Sequence, residues 1–248
     1  MKTKKLDTEK FSTDLAPEFI RRILQEQGLA ILNGVTSEAL ATDVAETLGT
    51  IIPHRDSESS GMTRIKFDGS RAGNAGQQGF SGQALFPHTD RSCLENPPHL
   101  ILLVCARQSE EGGVTTVVDG PELMDALRCD FPDLLEEMCS PGAACFDDGE
   151  YRYKGPLFEN ALDGSTCIRW RNDRLAYFSA PLADKLKELY SVILTMTRRF
   201  ELQPGQAYIV NNRRWLHGRD AFKGDREMWR YMINWSPPSH GLGFSGSH

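Results

Sequence analysis

The spacing of hydrophobic residues predicts that the chain opens with two helices around a short strand. The first helix spans residues 17–28, with Pro17 in its first turn, an apolar stripe along one side and Gly28 at its end. A strand follows over residues 29–32. Thr36 is expected to cap the second helix, in which apolar residues recur every four positions, at Leu40, Val44 and Leu48.

Strand patterns dominate the rest of the chain. They cover residues 63–67, 100–106, 114–118, 166–170, 206–210 and 227–235. Short helices are predicted over residues 121–127 and 133–139, and Ser179 is expected to cap a longer one. Short strands with irregular connections favour an antiparallel arrangement over a regular β-α alternation. We therefore expect a single α+β domain over residues 1–248, with a jelly-roll (double-stranded β-helix, cupin-like) core and flanking helices.

The last predicted strand, DREMWRYMINW, has two different faces. Arg226, Met228, Arg230 and Met232 share one face, and Glu227, Trp229, Tyr231, Ile233 and Trp235 share the other. The mainly aromatic face can pack beneath the outer helices, which leaves the two arginines toward the interior. An unpaired buried guanidinium is costly, so we expect an anion to meet them there. Pairing with surface carboxylates is the alternative.

A glycine-rich segment precedes the next group of chemically informative residues. Between Asp68 and Pro87 five glycines are interleaved with Ser, Asn and Gln, a composition that buries little and favours mobility. We expect either a surface loop or a mobile lid over residues 68–87 that closes over a site and excludes water.

Composition and charge narrow the function. The chain has 248 residues, of which 40% are hydrophobic and 25% charged, as in an ordinary globular protein. Its net charge of −6 provides no global positive field for nucleic acid or anionic lipid. No export signal or membrane span is visible, and the six cysteines contain no CxxC pair, so we expect a cytoplasmic protein with free thiols. Chemistry on a small molecule becomes the leading hypothesis; the sequence makes no prediction of oligomeric state.

Three residues form a candidate metal site. His88 and Asp90 are two positions apart, so in an extended segment their side chains share a face. His217 follows an apolar strand 129 residues later and can supply a third ligand. Two imidazoles and one carboxylate bind one face of octahedral Fe(II) and leave positions open for a bidentate oxo-acid and dioxygen. Zinc accepts the same ligands, so the metal is not fixed by the ligands alone.

The chain resembles the iron(II)- and 2-oxoglutarate-dependent oxygenases of the taurine dioxygenase family in four short segments, which occur in the order PHTD, EGGVTT, NNRRWLHGRDAF and DREMWR. The resemblance is strongest to small members of the family, such as carbapenem synthase and the clavaminate synthase group. The resemblance implies that His88, Asp90 and His217 bind Fe(II). It implies that Thr115 and Arg226 bind the distal carboxylate of the cosubstrate 2-oxoglutarate. It assigns Arg230 to an anionic group of the substrate.

One spacing departs from the family pattern. Arg226 lies 9 residues after His217, a shorter connection than usual, which leaves Arg230 as an alternative arginine for the cosubstrate. Halogenating relatives have Ala or Gly at the position of Asp90, so halogenation is disfavoured here.

The resemblance predicts a dioxygenase that hydroxylates or desaturates a small carboxylate-bearing substrate, such as an amino acid or derivative in specialised metabolism, and releases succinate and CO2. Two alternatives remain: a metal-dependent hydrolase or isomerase on a cupin-like barrel, and a non-catalytic jelly-roll binding protein.

Other candidates receive structural interpretations. His99 begins an apolar strand and is expected to be a structural residue, and His240 and His248 lie in a Gly/Ser-rich tail. Arg213 and Arg219 flank His217 and could support the site or lie at the surface. Arg169 and Trp170 could line the pocket, and the sequence does not decide this.

Overall fold

A computed structural model describes residues 4–161, 163–236 and 243–244 of the chain. The α-helices are α1 (Pro17–Gln27), α2 (Glu38–Leu48), α3 (Gly120–Asp130), α4 (Pro132–Cys139) and α5 (Ala180–Met196), and 3-10 turns occupy Thr8–Phe11 and Gln78–Phe80. The predicted helices are confirmed, including the Ser179 cap of α5, whose hydroxyl accepts from the Leu182 N–H. The predicted cap of α2 is wrong by one residue. Ser37, rather than Thr36, accepts a hydrogen bond from the Leu40 N–H, because only a side chain directly before the first turn reaches that donor.

The strands, in chain order, are β1 (Lys4–Lys5), β2 (Ser12–Thr13), β3 (Leu29–Leu32), β4 (Gly49–Ile51), β5 (Thr63–Lys66), β6 (Leu85–His88), β7 (Leu100–Arg107), β8 (Glu111–Gly112), β9 (Thr115–Asp119), β10 (Ala144–Asp147), β11 (Arg152–Gly155), β12 (Phe158–Asn160), β13 (Thr166–Ile168), β14 (Ala176–Phe178), β15 (Arg198–Phe200), β16 (Ala207–Asn211), β17 (Trp215–Arg219), β18 (Phe222–Lys223) and β19 (Glu227–Trp235). Each predicted strand has a counterpart within a few residues of its expected ends, and β3 and β19 have the expected bounds.

Two sheets form the framework of the fold. One has the order β2-β3-β16-β7-β19-β4, with β5 also paired to β19, and the other has the order β1-β15-β9-β17-β6. Smaller sheets join β11-β10-β14, β12-β13 and β18-β8. The pairings among β3, β16, β7 and β19, and among β15, β9, β17 and β6, are antiparallel, as the connections predicted. The result is a mixed α+β fold that is rich in sheet.

Three apolar clusters hold these layers together. The first packs α1 and α2 on the outer face of the larger sheet. The second packs α3, α4 and α5 against the outer face of the smaller sheet, through residues such as Val118 and Leu216. The third lies between the two sheets and joins Ile101 and Tyr208 of the larger one to Val117 and Trp215 of the smaller one.

The two faces of β19 are arranged as predicted. Trp229, Tyr231 and Ile233 belong to the cluster beneath α1 and α2. Met228 and Met232 belong to the cluster between the sheets. Arg230 therefore points toward the space between the sheets, and Arg226, directly before β19, lines the same cavity as Arg230.

Within the parts of the chain that the structure describes, none of the helices combines the length and apolar composition needed to cross a membrane.

Candidate metal centre

His88, Asp90 and His217 meet at one end of the smaller sheet. His88 ends β6, and β6 pairs with β17 in a register that places His88 opposite His217. The ligand atoms that the three residues can offer all lie within 4.8 Å of one another. The distant histidine that the sequence paired with the HxD motif is therefore in the expected place.

Both imidazoles present a ring nitrogen toward Asp90. His88 Nδ1 lies 3.0 Å from the Phe86 carbonyl oxygen, which fixes Nδ1 as the protonated nitrogen and leaves Nε2 as the lone-pair donor, 3.4 Å from Asp90 Oδ1. His217 Nε2 lies 4.0 Å from Asp90 Oδ2. Burial, helped by the neighbouring His88, lowers the pKa of His217 to about 3. The His217 ring is therefore neutral at physiological pH, as a metal ligand must be.

Asp90 is held through both its backbone and its side chain. Its N–H donates to Asn212 Oδ1 at 2.8 Å, and Asn212 Nδ2 donates back to the Asp90 carbonyl oxygen at 3.0 Å. Arg230 Nη1 donates to Asp90 Oδ2 at 3.1 Å. Burial alone would raise the pKa of Asp90, but Arg230 and the two histidines hold it well below the ordinary value. The carboxylate is therefore anionic, with a fixed orientation.

Gly218 explains how β17 approaches β6 so closely. A Cβ atom at this position would lie 2.3 Å from the Leu85 carbonyl oxygen and 3.0 Å from Thr116 Oγ1. Only glycine fits between the two strands that carry His88 and His217.

A second group of residues forms an anion site beside the metal ligands. Arg226 is buried, its Nε has no hydrogen-bond partner, and no carboxylate of the described residues lies within ion-pair distance of it. Thr115 lines the same cavity. Gly113, with a φ of 71°, lets the chain pass so close that a Cβ would lie 3.1 Å from Arg226 Nε. A buried, unpaired guanidinium of this kind is suited to an anionic ligand.

All six residues predicted for the site line a single cavity of about 240 Å³. They are His88, Asp90, Thr115, His217, Arg226 and Arg230. The two-imidazole and one-carboxylate donor set fits a divalent transition metal, and the orphaned Arg226 fits a dicarboxylate beside it. The residues present are therefore compatible with both iron and 2-oxoglutarate.

Sequence reasoning missed three groups that line the same cavity, His54, Arg91 and Asp148, and left Arg219 undecided between the site and the surface. Arg219 is buried and donates to the carbonyl oxygens of Gly79, Ser81 and Gln83, so it ties β17 to the glycine-rich segment. The three missed residues carried no sequence signal, whereas Arg219 lies two residues from His217 on the same strand.

The remaining candidates lie outside this cavity. Arg169 donates to the carbonyl oxygens of Ser92, Leu94 and Glu95, and Trp170 packs in the cluster beneath α5. Arg213 is half-buried, with Nη2 3.5 Å from the Pro97 carbonyl oxygen. His99 is structural, as predicted, since its Nδ1 accepts from the Trp235 N–H at 3.1 Å. His240 and His248 lie outside the described residues.

Comparison with known proteins adds independent findings. Residues 2–232 match the family described as "Taurine catabolism dioxygenase TauD, TfdA family". Gamma-butyrobetaine dioxygenase of Pseudomonas sp. (strain AK-1) is 31% identical over 223 residues, which cover 82% of this chain and 55% of that protein. The mitochondrial trimethyllysine dioxygenase of Gallus gallus is 26% identical over 238 residues, which cover 85% and 53%. The chain thus spans about half the length of these curated relatives.

Among solved structures, asparagine oxygenase in complex with Fe(II), 2S,3S-3-hydroxyasparagine and succinate superimposes with a TM-score of 0.72 at 15% identity. The superposition covers 93% of this chain and 84% of that one. At this identity the likeness concerns the fold.

Proposed function

The chain belongs to the taurine catabolism dioxygenase TauD, TfdA family, and from this premise we propose that it is an iron(II)- and 2-oxoglutarate-dependent dioxygenase. The observation that carries the proposal is the joint lining of one cavity by a His-Asp-His cluster and a buried arginine without a carboxylate partner. The reaction is hydroxylation, or desaturation, of a small substrate that bears a carboxylate.

His88, Asp90 and His217 hold the iron in this proposal. Iron(II) bound with 2-oxoglutarate and dioxygen supplies the oxidising power for attack on an unactivated C–H bond, with release of succinate and CO2. The contribution of the protein is to keep the His217 imidazole neutral and Asp90 ionised, and to orient His88 through the Phe86 carbonyl oxygen and Asp90 through Asn212 and Arg230 before the metal arrives.

Arg226 and Thr115 are proposed to bind the distal carboxylate of 2-oxoglutarate. Burial lowers the pKa of Arg226, which is the cost of keeping its guanidinium in a site with little water. A carboxylate relieves that cost by forming charge-assisted hydrogen bonds. Arg230 is less suited to this role, since it already donates to Asp90.

Arg230 is proposed to orient an anionic group of the substrate. Its Nη1 is engaged with Asp90, while its Nε is buried without a partner and remains available to a ligand. The names of the curated relatives give amino-acid derivatives as substrates, and the asparagine oxygenase was solved with a hydroxylated amino acid. A free amino acid or a small derivative is accordingly the substrate class we propose.

The finer architecture and the location in the cell are also proposals. The two facing antiparallel sheets support a double-stranded β-helix (jelly-roll) core, with the site between its layers. Gly76, Gly79 and Phe80 line the cavity, which supports a lid role for residues 68–87. Six free cysteines support a reducing, cytoplasmic environment.

Anaerobic absorption spectroscopy tests the proposal directly. Fe(II) and 2-oxoglutarate added together are expected to give a visible charge-transfer band, whereas Zn(II) and 2-oxoglutarate give none. Absence of the band in folded, metal-loaded protein would count against the oxygenase and favour the zinc hydrolase or isomerase.

A screen for succinate release then identifies the substrate. Free L-amino acids, their N-methylated derivatives and small organic acids form the panel. Release above the uncoupled background with one compound, together with loss of that compound, supports the enzyme; a binding protein without turnover releases none with any compound.

A further inference from the structure

Asp148 lies on the wall of the cavity at a position with no role in binding the metal or 2-oxoglutarate. It follows β10, at the start of the turn toward β11, and its side chain is 7% exposed. The turn motif DDGE gives a sufficient reason for an aspartate in this place, but it does not require the carboxylate to face a cavity.

The two oxygens of Asp148 have separate surroundings. Oδ1 accepts the backbone N–H groups of Tyr151 at 2.8 Å and Glu150 at 3.2 Å, which holds the turn and fixes the side chain. Oδ2 accepts the Cys93 thiol at 3.0 Å and faces Arg91 Nη1 at 3.4 Å. One oxygen therefore builds the turn, while the other is presented among residues that line the cavity.

Among the carboxylates of the described residues that line the cavity, Asp148 lies farthest from its arginine partner. The others are Asp90, 3.1 Å from Arg230, Asp173, 2.9 Å from Arg171, and Asp56, 2.5 Å from Arg71. At 3.4 Å the Arg91 hydrogen bond is at the weak end of the range. Asp148 Oδ2 can therefore accept another donor at little cost.

The surroundings of Asp148 keep its carboxylate ionised, and the Arg91 guanidinium has a second contact besides this carboxylate. Burial alone would raise the pKa of Asp148, but the Cys93 thiol and the backbone N–H groups lower it below the ordinary value. Burial, together with Asp148, raises the pKa of Cys93 to about 11, so the thiol stays a neutral donor. The Arg91 guanidinium also lies 5.3 Å from the Tyr151 ring, which gives it a second contact besides Asp148.

The backbone conformation of Arg91 is of a kind that occurs often at functional sites. Its φ of 56° is the only positive value among the non-glycine residues that the structure describes. A left-handed conformation costs about 1–2 kcal/mol for a residue with a Cβ, and such strain is concentrated at functional sites. Arg91 directly follows the candidate ligand Asp90, so this turn sets the distance between the metal centre and the Arg91–Asp148 pair.

We propose that Asp148 Oδ2 binds a cationic nitrogen group of the substrate, an ammonium, in place of its weak hydrogen bond from Arg91. The inference rests on the proposed function, because it needs a substrate in this cavity. Arg230 and Asp148 then recognise opposite charges of one molecule, which selects zwitterionic amino acids over simple carboxylic acids.

Isothermal titration calorimetry with matched probe pairs tests the inference. The pairs are L-lysine with L-norleucine, L-asparagine with succinamate, and 4-aminobutyrate with butyrate, each differing by one ammonium group. The full chain is titrated metal-free and after loading with Zn(II) and 2-oxoglutarate, so that no turnover intervenes. In at least one pair the ammonium-bearing compound is expected to bind about tenfold more tightly.

The Asp148→Asn variant keeps a side-chain oxygen that can accept the N–H groups of Glu150 and Tyr151, and it removes the negative charge of the carboxylate. It is expected to reduce the tenfold preference to less than about twofold without weakening binding of the compound that lacks the extra ammonium group. Asp147→Asn is the matched control, because Asp147 accepts from Gly149 N–H and Arg152 in the same turn but does not line the cavity. Its preference should equal that of the wild-type protein.

Arg91→Met provides an independent variant, since it removes the competing guanidinium while Asp148 is unchanged. It is expected to strengthen binding of the ammonium-bearing compound about threefold. No preference in the wild-type protein, a preference that survives in Asp148→Asn, or weaker binding in Arg91→Met would overturn the inference. Absence of succinate release with every compound counts against the proposed function instead, while the measured affinities decide the role of Asp148.

Discussion

At the residue scale, the proposed 2-oxoglutarate site depends on one buried guanidinium. We predict that Arg226→Ala weakens 2-oxoglutarate binding about 10- to 100-fold, because the distal carboxylate loses charge-assisted hydrogen bonds in a site with little water. Titration of the anaerobic charge-transfer band with 2-oxoglutarate measures this affinity. Arg230→Ala is the comparison, and its effect on 2-oxoglutarate should be much smaller. The reverse order of the two effects would mean that their roles are exchanged.

Gly113 is predicted to matter for the same site through its backbone. Alanine at a φ of 71° is strained by about 1 kcal/mol, and its Cβ would lie 2.6 Å from Ser109 Oγ and press against Arg226 Nε and Cδ. Gly113→Ala should therefore raise the dissociation constant of 2-oxoglutarate by about tenfold or more.

Gly34→Ala separates this effect from general strain. Gly34 has a φ of 83°, and an added Cβ there would meet nothing within 4 Å. The control should lose similar stability in thermal melts while it retains normal 2-oxoglutarate affinity. Equal affinities in the two variants would show that Gly113 does not position Arg226.

The sequence predicted those site residues whose spacing places their side chains on one face of an extended segment. His88 and Asp90 are two positions apart, and Arg226 and Arg230 are four apart, so in an extended segment the members of each pair share a face. His54 and Asp148 were missed because loops and turns bring them to the cavity. No local pattern of hydrophobic and polar residues records where a loop side chain points.

At the scale of elements, Arg219 couples strand β17 to the glycine-rich segment. Its guanidinium is buried without a described carboxylate partner and satisfies several carbonyl oxygens of residues 79–83. We predict that Arg219→Ala lowers the free energy of unfolding by about 1–3 kcal/mol, since the buried Ser81 carbonyl oxygen and two less buried ones lose their donor. It should also accelerate tryptic cleavage at Arg71, within the released segment, at least about threefold.

Arg213→Ala is the matched control, because Arg213 flanks His217 on the other side and contacts the Pro97 carbonyl oxygen rather than the glycine-rich segment. Its cleavage rate at Arg71 should match that of the wild-type protein. If both variants are cleaved equally fast, Arg219 does not specifically restrain the segment.

His99 gives a pH prediction at the start of β7. Burial, together with Arg213, lowers its pKa from 6.5 to about 4, and protonation of Nδ1 would break the hydrogen bond from the Trp235 N–H. The unfolded chain takes up this proton near pH 6.5, so stability falls as the pH drops from 6.5 toward 4 and changes no further below that. The His99 contribution is about 1–2 kcal/mol after allowance for partial exposure.

Denaturant unfolding of His99→Asn at several pH values tests this prediction. The variant should show a shallower loss of stability between pH 6.5 and 4, with a remainder from His54 and His217, whose pKa values burial also lowers, to about 4 and about 3. An unchanged slope would contradict the prediction.

The helices were predicted correctly where local sequence signals are strong, and the error concerns the exact start of one helix. The apolar stripes and caps of α1 and α5 define those helices without tertiary information. The start of α2 was misplaced because Thr36 and Ser37 are adjacent capping residues with nearly equal preference. Only the direction in which each hydroxyl points distinguishes them.

At the scale of the whole molecule, strand order could not be predicted from periodicity. Strand β7 lies between β16 and β19, which follow it by about a hundred residues in the chain, and each pairing is decided by packing in three dimensions. The antiparallel class was predictable, since short strands with irregular connections exclude regular parallel crossovers. The meeting of His88 with His217 is a consequence of the β6–β17 pairing, and the spacing of the metal motif predicts that these two residues come together.

That pairing makes metal binding a property of the entire fold. The ligands come from strands 129 residues apart in sequence, so an ion that binds them favours the folded chain over the unfolded one. At a free metal concentration 100 times the dissociation constant, the stabilisation is about 2.7 kcal/mol, or roughly 5–10 °C in Tm for a chain of this size. Anaerobic thermal melts with Fe(II), or melts with Zn(II), should show this shift, and a chelator should remove it.

Asp90→Asn assigns the shift to the proposed ligands. The amide is a poor ligand, and it leaves Arg230 without the carboxylate that Arg230 now contacts, so the variant should lose most of the metal-induced rise in Tm. Asp173→Asn is the control, because Asp173 lines the same cavity but pairs with Arg171 outside the ligand cluster. An undiminished rise in Asp90→Asn would place the metal elsewhere on the chain, and the roles proposed for Arg226 and Arg230 would then lose the centre around which they are arranged.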